Sequence, residues 1–429
     1  MKNNILKRPL KFYIIYILVT LCFSFWGPAI YKDYDRLSVS IFMLFFLFCV
    51  FIGYSIGLRR NDKFNNTARI PNIIYLVKLS IFISFLLIFI EFFQILITNP
   101  SRFSLTNIGG NYMLAKDELE ISGSYSMLQL LRFLTGFPRS ITLILGFYFF
   151  SRLPRSYKIL FFFFLLFNVL VYAVAYGTQK IFGDILIYFF IVASLKLLYV
   201  DKKKRRRIII GIAIIAFLFV SYFIINQIQR YSAIDIDVTN IAKKSNGNLV
   251  FDTDHIVFKI FGEKIGFGIS VLITSYLSAG YYGLSLCFEL PFVWTHGFGN
   301  SYPLSIFVHQ FLDFPNYYLD TYLNRMDIVY GRSGLRAWNT IFPWLASDLT
   351  FVGSLLIFIP ISAIYAISWK ETVKYNNPVS LVMFATLTMG FIFVPNNNQL
   401  LNGIDGFIGT ICIFIFWLRY HNKFNVIER

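Results

Sequence analysis

Charged residues are scarce in this sequence. Asp, Glu, Lys and Arg make up 14% of its 429 residues, against about a quarter in water-soluble domains. With 57% of the residues hydrophobic and 20% aromatic, a soluble globular protein is excluded. Acidic residues are scarcer still, 22 against 39 Lys and Arg, which leaves a net charge of +17. The four cysteines, Cys22, Cys49, Cys287 and Cys412, form no CxxC or other paired spacing, so neither a disulfide framework nor a zinc site is indicated. Of the four histidines no two stand at metal-ligand spacing, and no metal or other cofactor is expected.

What the sequence has in abundance is apolar runs near twenty residues long, each able to cross a hydrocarbon core of ~30 Å. They fall near 12–30, 38–58, 73–97, 126–150, 159–177, 181–200, 208–226, 349–369, 378–395 and 405–420. The fold class expected is an all-α polytopic integral membrane protein of about ten transmembrane helices. The first run lacks a small-x-small cleavage site after it and is too long for a signal peptide, so it is read as a retained helix.

The basic residues set the orientation. With a cytoplasmic N-terminus, the inside segments, Arg419 at the end of the last run included, carry 22 Lys and Arg and the short outside loops carry 5; the run from Lys202 to Arg207 alone fixes this sense. Both termini are expected in the cytoplasm. Cations distributed in this way are topological, and no nucleic-acid partner is expected. The rhythm breaks once, between helices seven and eight, where a large external loop intervenes. The expected divisions are therefore 1–226 (helices one to seven), 227–347 (an extracytoplasmic loop with helices lying on or dipping into the outer face) and 348–429 (helices eight to ten and the tail).

Ionisable groups inside membrane helices are functional candidates by default. Arg132 and Arg139 stand two turns apart in helix four, with Glu91 and Asp184 as candidate partners, and Arg139 suits an anionic lipid headgroup. Lys180 breaks the charge pattern at the outer end of the hairpin between helices five and six, where it suits a diphosphate. Arg230 follows helix seven. At the far end of the loop come Arg332, Arg336, Asn339 and Thr340, which share one face if the segment is helical, with Asp348 beyond. Arginine grips phosphate with a planar fork of donors. His296 lies in the polar turn Thr295-His-Gly-Phe-Gly-Asn300, and imidazole titrates in the range that general acid or base work requires. The pair Asp33 and Asp35 in the first external loop reads as interfacial charge rather than a cation site.

Phe298-Gly299-Asn300-Ser301-Tyr302-Pro303 in mid-loop, Asn339-Thr340, and then Asp348 and Gly353 at the last helices complete an arrangement that resembles the O-antigen polymerase (Wzy-type) family along the whole chain. An Arg-x10-Gly spacing of some members is absent, since Arg325 is followed eleven residues on by Arg336 and Arg332 by Pro343. The resemblance implies an enzyme of the bacterial inner membrane that polymerises undecaprenyl-diphosphate-linked oligosaccharide units at the periplasmic face. Transfer would be inverting and metal-independent, with membrane lipid and a chain-length regulator protein as partners. Under that reading Arg230, Arg332 and Arg336 stabilise the departing diphosphate, His296 or Asp348 serves as base, and loop aromatics such as Tyr276, Tyr281, Tyr282 and Trp294 stack on sugars. The O-antigen ligase, of the same architecture, is the nearest alternative, and a non-enzymatic lipid-linked oligosaccharide flippase is the alternative from another class. A metal-using polyprenyl-phosphate sugar transferase fits less well because the first external loop is tiny. A secondary transporter fits less again, because no repeated pair of interrupted helices is found.

Overall fold

The computed structural model describes residues 2–60, 73–104, 108, 110–112, 114, 135–241 and 248–423. Among these, five helices are long and apolar enough to cross a bilayer: Asn4–Trp26, Arg36–Arg59, Ile73–Thr98, Arg155–Ala175 and Lys202–Ser232. Phe342–Leu356 and Phe358–Tyr375, bent by 59° at their junction, make a sixth if they are one broken span. The remaining apolar runs hold shorter helices, Gly136–Phe149, Lys180–Lys196, Pro378–Phe393 and Ile404–Tyr420, of 14, 17, 16 and 17 residues. Residues 126–134, where the fourth run was expected to begin and where Arg132 stands, lie outside the described residues. On the long helices the apolar side chains point outward as well as inward: Phe48 is 60% and Phe217 70% exposed. Only a hydrocarbon surround makes that favourable, and the chain is an all-α membrane protein.

The chain divides by its contacts into two discontinuous units, which differ from the consecutive segments read from the sequence. One comprises Met1–Asn61, Ile234–Lys370 and Gly390–Phe407; the other comprises Asp62–Ala233, Glu371–Met389 and Ile408–Arg429. The reason is that helices remote in sequence supply one another's cores. In the first unit, edge-to-face ring pairs join Tyr13 to Phe391 (4.8 Å), Phe46 to Phe342 (5.1 Å) and Phe46 to Phe358 (4.8 Å), a geometry that satisfies the ring quadrupoles.

The first unit also gathers the long segment after Ile234. A two-stranded antiparallel ribbon pairs Ala29–Tyr31 with Leu249–Phe251. Beyond it, Ile256–Val271 is broken at Gly262 and passes through the π-helical Leu272–Ser278 into Ala279–Phe288. Tyr302–Leu312 and Tyr322–Tyr330 have 11 and 9 residues, roughly 14–17 Å at 1.5 Å per residue and too short to cross. Their ends are specified locally. Pro303 opens the first and Asp313 closes it at φ 56°; Thr321 caps the second by accepting from Asn324 N–H at 3.2 Å, and Gly331 ends it at φ 65°. Phe342–Leu356 breaks at Thr350, whose φ is 63°. Thr350 Oγ1 accepts from Gly353 N–H at 3.3 Å, so it acts as the N-cap of a fresh helical turn.

In the second unit Ile73–Thr98 packs on Gly136–Phe149 and Arg155–Asn168. Its buried face carries Ser80, Ser84 and Glu91 among the aliphatic residues.

Candidate active site

Asp348 organises one end of the first unit. Its Oδ1 accepts from Thr295 Oγ1 at 2.5 Å, Gly297 N–H at 2.8 Å and Gly299 N–H at 3.3 Å, and its Oδ2 accepts from the backbone N–H and side-chain amide of Asn300 at 2.8 and 2.9 Å. A carboxylate only accepts, and turns leave N–H groups pointing inward, so a single Asp fixes the whole loop 295–300. Asn398 Nδ2 donates to Asn300 O at 2.7 Å, and the Ser301 hydroxyl donates to Leu401 O, so the polar segment 396–402 braces the turn from behind. Of the two candidate bases, Asp348 is thereby engaged through both oxygens, and taking a proton would break the clamp.

His296 sits on that turn at φ 56° and is exposed. Its imidazole packs against Trp294 at 4.4 Å and Tyr317 at 5.3 Å, centroid to centroid, and among the described residues neither ring nitrogen is hydrogen-bonded. Phe298 stacks on Tyr317 at 5.3 Å and 15° and neighbours Phe314 at 5.8 Å. The outcome is a titratable ring, both nitrogens open, in a half-exposed row of aromatic faces.

Arg332 is held differently. Its Nε donates to Asn339 Oδ1 at 2.9 Å, its Nη2 donates to Ala279 O at 3.0 Å and Trp338 O at 2.7 Å, and its guanidinium lies 5.1 Å from the centre of the Tyr282 ring. Every partner is neutral, and among the described residues it makes no ion pair. Burial lowers its pKa from the ordinary guanidinium value, because desolvation disfavours the charged form. Among the described residues Nη1 takes no acceptor, and the side chain is half-buried. A cation anchored by two of its nitrogens, with the third unused and no counter-ion, is a ready anion site.

Asn339 is buried and donates to Ala337 O at 2.8 Å. Thr340 is buried at φ 57°. The glycines of Gly280-Tyr-Tyr-Gly283 make room for this segment: a Cβ on Gly283 would overlap Asn339 Oδ1, and one on Gly280 would overlap Pro395 O. About two turns of helix from Phe342 separate the Asn339–Thr340 anchor from the Asp348 clamp, roughly 10 Å.

Several expectations are corrected. Residues 331–341 do not form a helix: Gly331 ends the preceding helix and Thr340 adopts a left-handed conformation, so Arg332 meets Asn339 across a loop while Arg336 stays exposed. Tyr281 is fully buried, its hydroxyl 2.8 Å from Thr20 Oγ1, and offers no face to a sugar. Tyr282 lies under Arg332 and stacks on Tyr31 at 4.5 Å. Asp35 caps Arg36–Arg59 by accepting from Ser38 N–H at 3.1 Å.

Arg230, Lys180 and Arg139 belong to the second unit. Arg230 is buried, donates from Nη2 to Gly177 O at 2.7 Å and lies 3.7 Å from the Tyr112 ring centre. Lys180 is exposed at the first position of Lys180–Lys196. Arg139 lies 5.0 Å from the Tyr172 ring centre. The sequence reading missed Thr295 and Asn300 as Asp348's partners, Arg332's carbonyl ligands and the buried Arg102. Only the Thr-x4-Asn spacing around the turn, typical of side chains that bond loop backbone, hinted at the first of these.

No family model matches the chain, and no curated protein or solved structure is significantly similar to it.

Proposed function

We propose that this protein is a membrane glycosyltransferase that polymerises polyprenyl-diphosphate-linked oligosaccharide units at the outer face of a bacterial plasma membrane. One observation carries the reading. The first unit holds an imidazole on a turn clamped by Asp348 and beside exposed aromatic rings, together with a guanidinium, and among the described residues the one has neither nitrogen bonded and the other has no counter-ion. Those are the parts that glycosyl transfer from a diphosphate requires.

In this reading the aromatic row takes the acceptor sugar by stacking on its C–H faces, and His296 accepts the proton of the attacking hydroxyl. That oxygen bonds to the donor's anomeric carbon from the side opposite the leaving group. The bond from that carbon to the diphosphate oxygen breaks, and the diphosphate departs toward Arg332 Nη1. A positioned base contributes roughly 10²–10⁴-fold, and fixed donors for the leaving anion contribute a comparable amount. The ten apolar helices are all taken to cross, with both termini in the cytoplasm and 227–347 outside, as the 22 against 5 distribution of basic residues favours. The substrates are then lipid-linked glycans, and a chain-length regulator is a natural partner.

The test is complementation. In a cell lacking this protein, wild type should restore a ladder of surface polysaccharide, while His296→Ala and Arg332→Ala, expressed at equal level, should leave single repeat units. Unlinked polymer accumulating in the absence of the protein would replace polymerase with ligase. Intermediate trapped in the cytoplasm would replace it with flippase.

A further inference from the structure

The Asp348 clamp holds residues 295–300, yet the two rings that the His296 imidazole touches, Trp294 and Tyr317, stand outside it. Trp294 closes an irregular stretch, 291–294, whose four side chains are all exposed. The backbone is fixed on either side of it, by Leu290 N–H to Cys287 O at 3.3 Å and by Thr295 N–H to Ser347 O at 3.2 Å. Within the stretch, among the described residues, the one hydrogen bond is at Pro291 O, which accepts from Arg325 Nη1 at 2.7 Å. Tyr317 opens the 3-10 turn Tyr317–Asp320, and the carbonyl that ends that turn, Asp320 O, accepts from Arg325 Nε at 3.0 Å. A single guanidinium thus takes the carbonyl three residues before Trp294 and the carbonyl three residues after Tyr317.

The platform that carries Arg325 is itself fixed. Arg325 lies in the first turn of Tyr322–Tyr330, which Thr321 caps, and Tyr322 N–H donates to Ser347 Oγ at 3.1 Å, next to Asp348. The guanidinium stands 4.9 Å from the centre of the buried Tyr322 ring, a contact that favours a cation over the ring face. Among the described residues it makes no ion pair, and its Nη2 is buried without a partner. The charge therefore meets no counter-ion. What arginine supplies here, and lysine does not, is two donors held at a fixed spacing on one planar group. The Tyr317 side has a second tie, from Asn324 Nδ2 to Leu319 O at 2.9 Å, whereas the 291–294 stretch depends on Arg325.

We propose that Arg325 is a positioning residue: by joining the 291–294 stretch to the 317–320 turn it sets the separation of Trp294 and Tyr317, and so keeps the His296 ring in contact with both. The part played by His296 as base rests on the glycosyl-transfer reading, while the brace rests on the contacts themselves. Both carbonyl bonds are exposed, so water takes the place of the guanidinium when it is removed. The fold is then retained and the geometry of the rings is released.

Protein labelled with 5-fluorotryptophan carries six indole reporters, and Trp294→Phe assigns the one at position 294. Its fluorine resonance reports the ring stacked against it. In Arg325→Ala that resonance is expected to move toward its position in His296→Ala, and Arg325→Lys should move it too, because one ammonium cannot hold both carbonyls. On lipid-linked units extracted from cells lacking the protein, Arg325→Ala should lower kcat about 10–10²-fold, the size of loss that a misplaced catalytic group brings. Added to His296→Gln it should lower the rate no further. An unmoved resonance in both Arg325 variants overturns the proposal. So does a rate loss that multiplies with that of His296→Gln, since an arginine with a merely structural part would act alike on both backgrounds. If wild type makes no polymer while the resonance moves, the transfer reading fails and the brace stands.

Discussion

Asn300 binds one oxygen of Asp348 twice, through its backbone N–H at 2.8 Å and its side-chain amide at 2.9 Å, both to Oδ2. The carboxylate is thus a template for the turn that presents His296, and its removal takes the acceptor from several loop donors at once. A hydrogen bond to a charged group is worth about 1.5–3 kcal/mol, and bonds in one cluster do not add. Asp348→Ala is expected to lower stability by about 3 kcal/mol and to open 295–300 to limited proteolysis. Asp348→Asn, which keeps the shape but turns one acceptor into a donor, should fall between it and wild type. Equal proteolysis of all three would show that the clamp does not hold the turn.

For His296 the expected split is between chemistry and fold. The ring is exposed and makes no hydrogen bond among the described residues, so His296→Gln should leave thermal unfolding within about 0.5 kcal/mol of wild type while polymer synthesis drops about 10²-fold or more. A variant that keeps the rate removes His296 from the reaction.

Arg332 separates charge from geometry. Lysine retains the cation and loses the fork that reaches Asn339, Ala279 and Trp338 at once. Arg332→Lys is expected to retain less than a tenth of the activity, whereas the exposed Arg336→Lys should retain most of it. Ladder density on a gel at matched expression reads both.

How far the sequence could have led is clear from these same residues. Apolar runs and basic loops sufficed for an all-α membrane protein, because crossing a bilayer imposes a length and a composition on every span. The same reasoning singled out His296, Arg332, Asn339 and Asp348, all rare polar groups beside apolar stretches. It could not foresee which of them meet. The contact of Arg332 with Asn339 depends on a left-handed turn at Gly331 and another at Thr340, and a helix was the natural expectation for that spacing. Tyr281 and Tyr282 are neighbours of identical chemistry, yet one is sealed against Thr20 and the other lies under a guanidinium. Only the packing of distant segments decides that difference.

Tyr330 gives an alkaline transition with a definite sign. Its hydroxyl donates to Glu289 Oε2 at 2.7 Å, and that hydrogen bond, followed by burial, pushes its pKa up to about 12. A tyrosine whose folded pKa lies above the unfolded value near 10 stabilises fully below pH 10 and loses that contribution as pH rises toward 12. Subtracting the phenolate absorbance titration of Tyr330→Phe from that of wild type should leave one transition near pH 12. A difference curve centred near 10 would mean that the bond to Glu289 is not made.

Gly283 tests whether the anion site was built by backbone proximity. The helix Ala279–Phe288 approaches the 339–340 segment so closely that a methyl group at position 283 would overlap Asn339 Oδ1, with Arg332 Nε 3.2 Å away. Gly283→Ala therefore has to push the Asn339 amide aside, which takes away the acceptor of Arg332 Nε and disturbs the loop bonds made by the same amide. In a helix interior the same change would normally stabilise by about 0.5–1 kcal/mol; here a loss of about 2 kcal/mol is expected, since overpacking costs about 1–3 kcal/mol. Activity should fall with it, and pairing Gly283→Ala with Arg332→Ala should cost much less than the sum of the two, because both act on one contact. Full additivity in that double-mutant cycle would place the effect of Gly283 elsewhere than on Arg332.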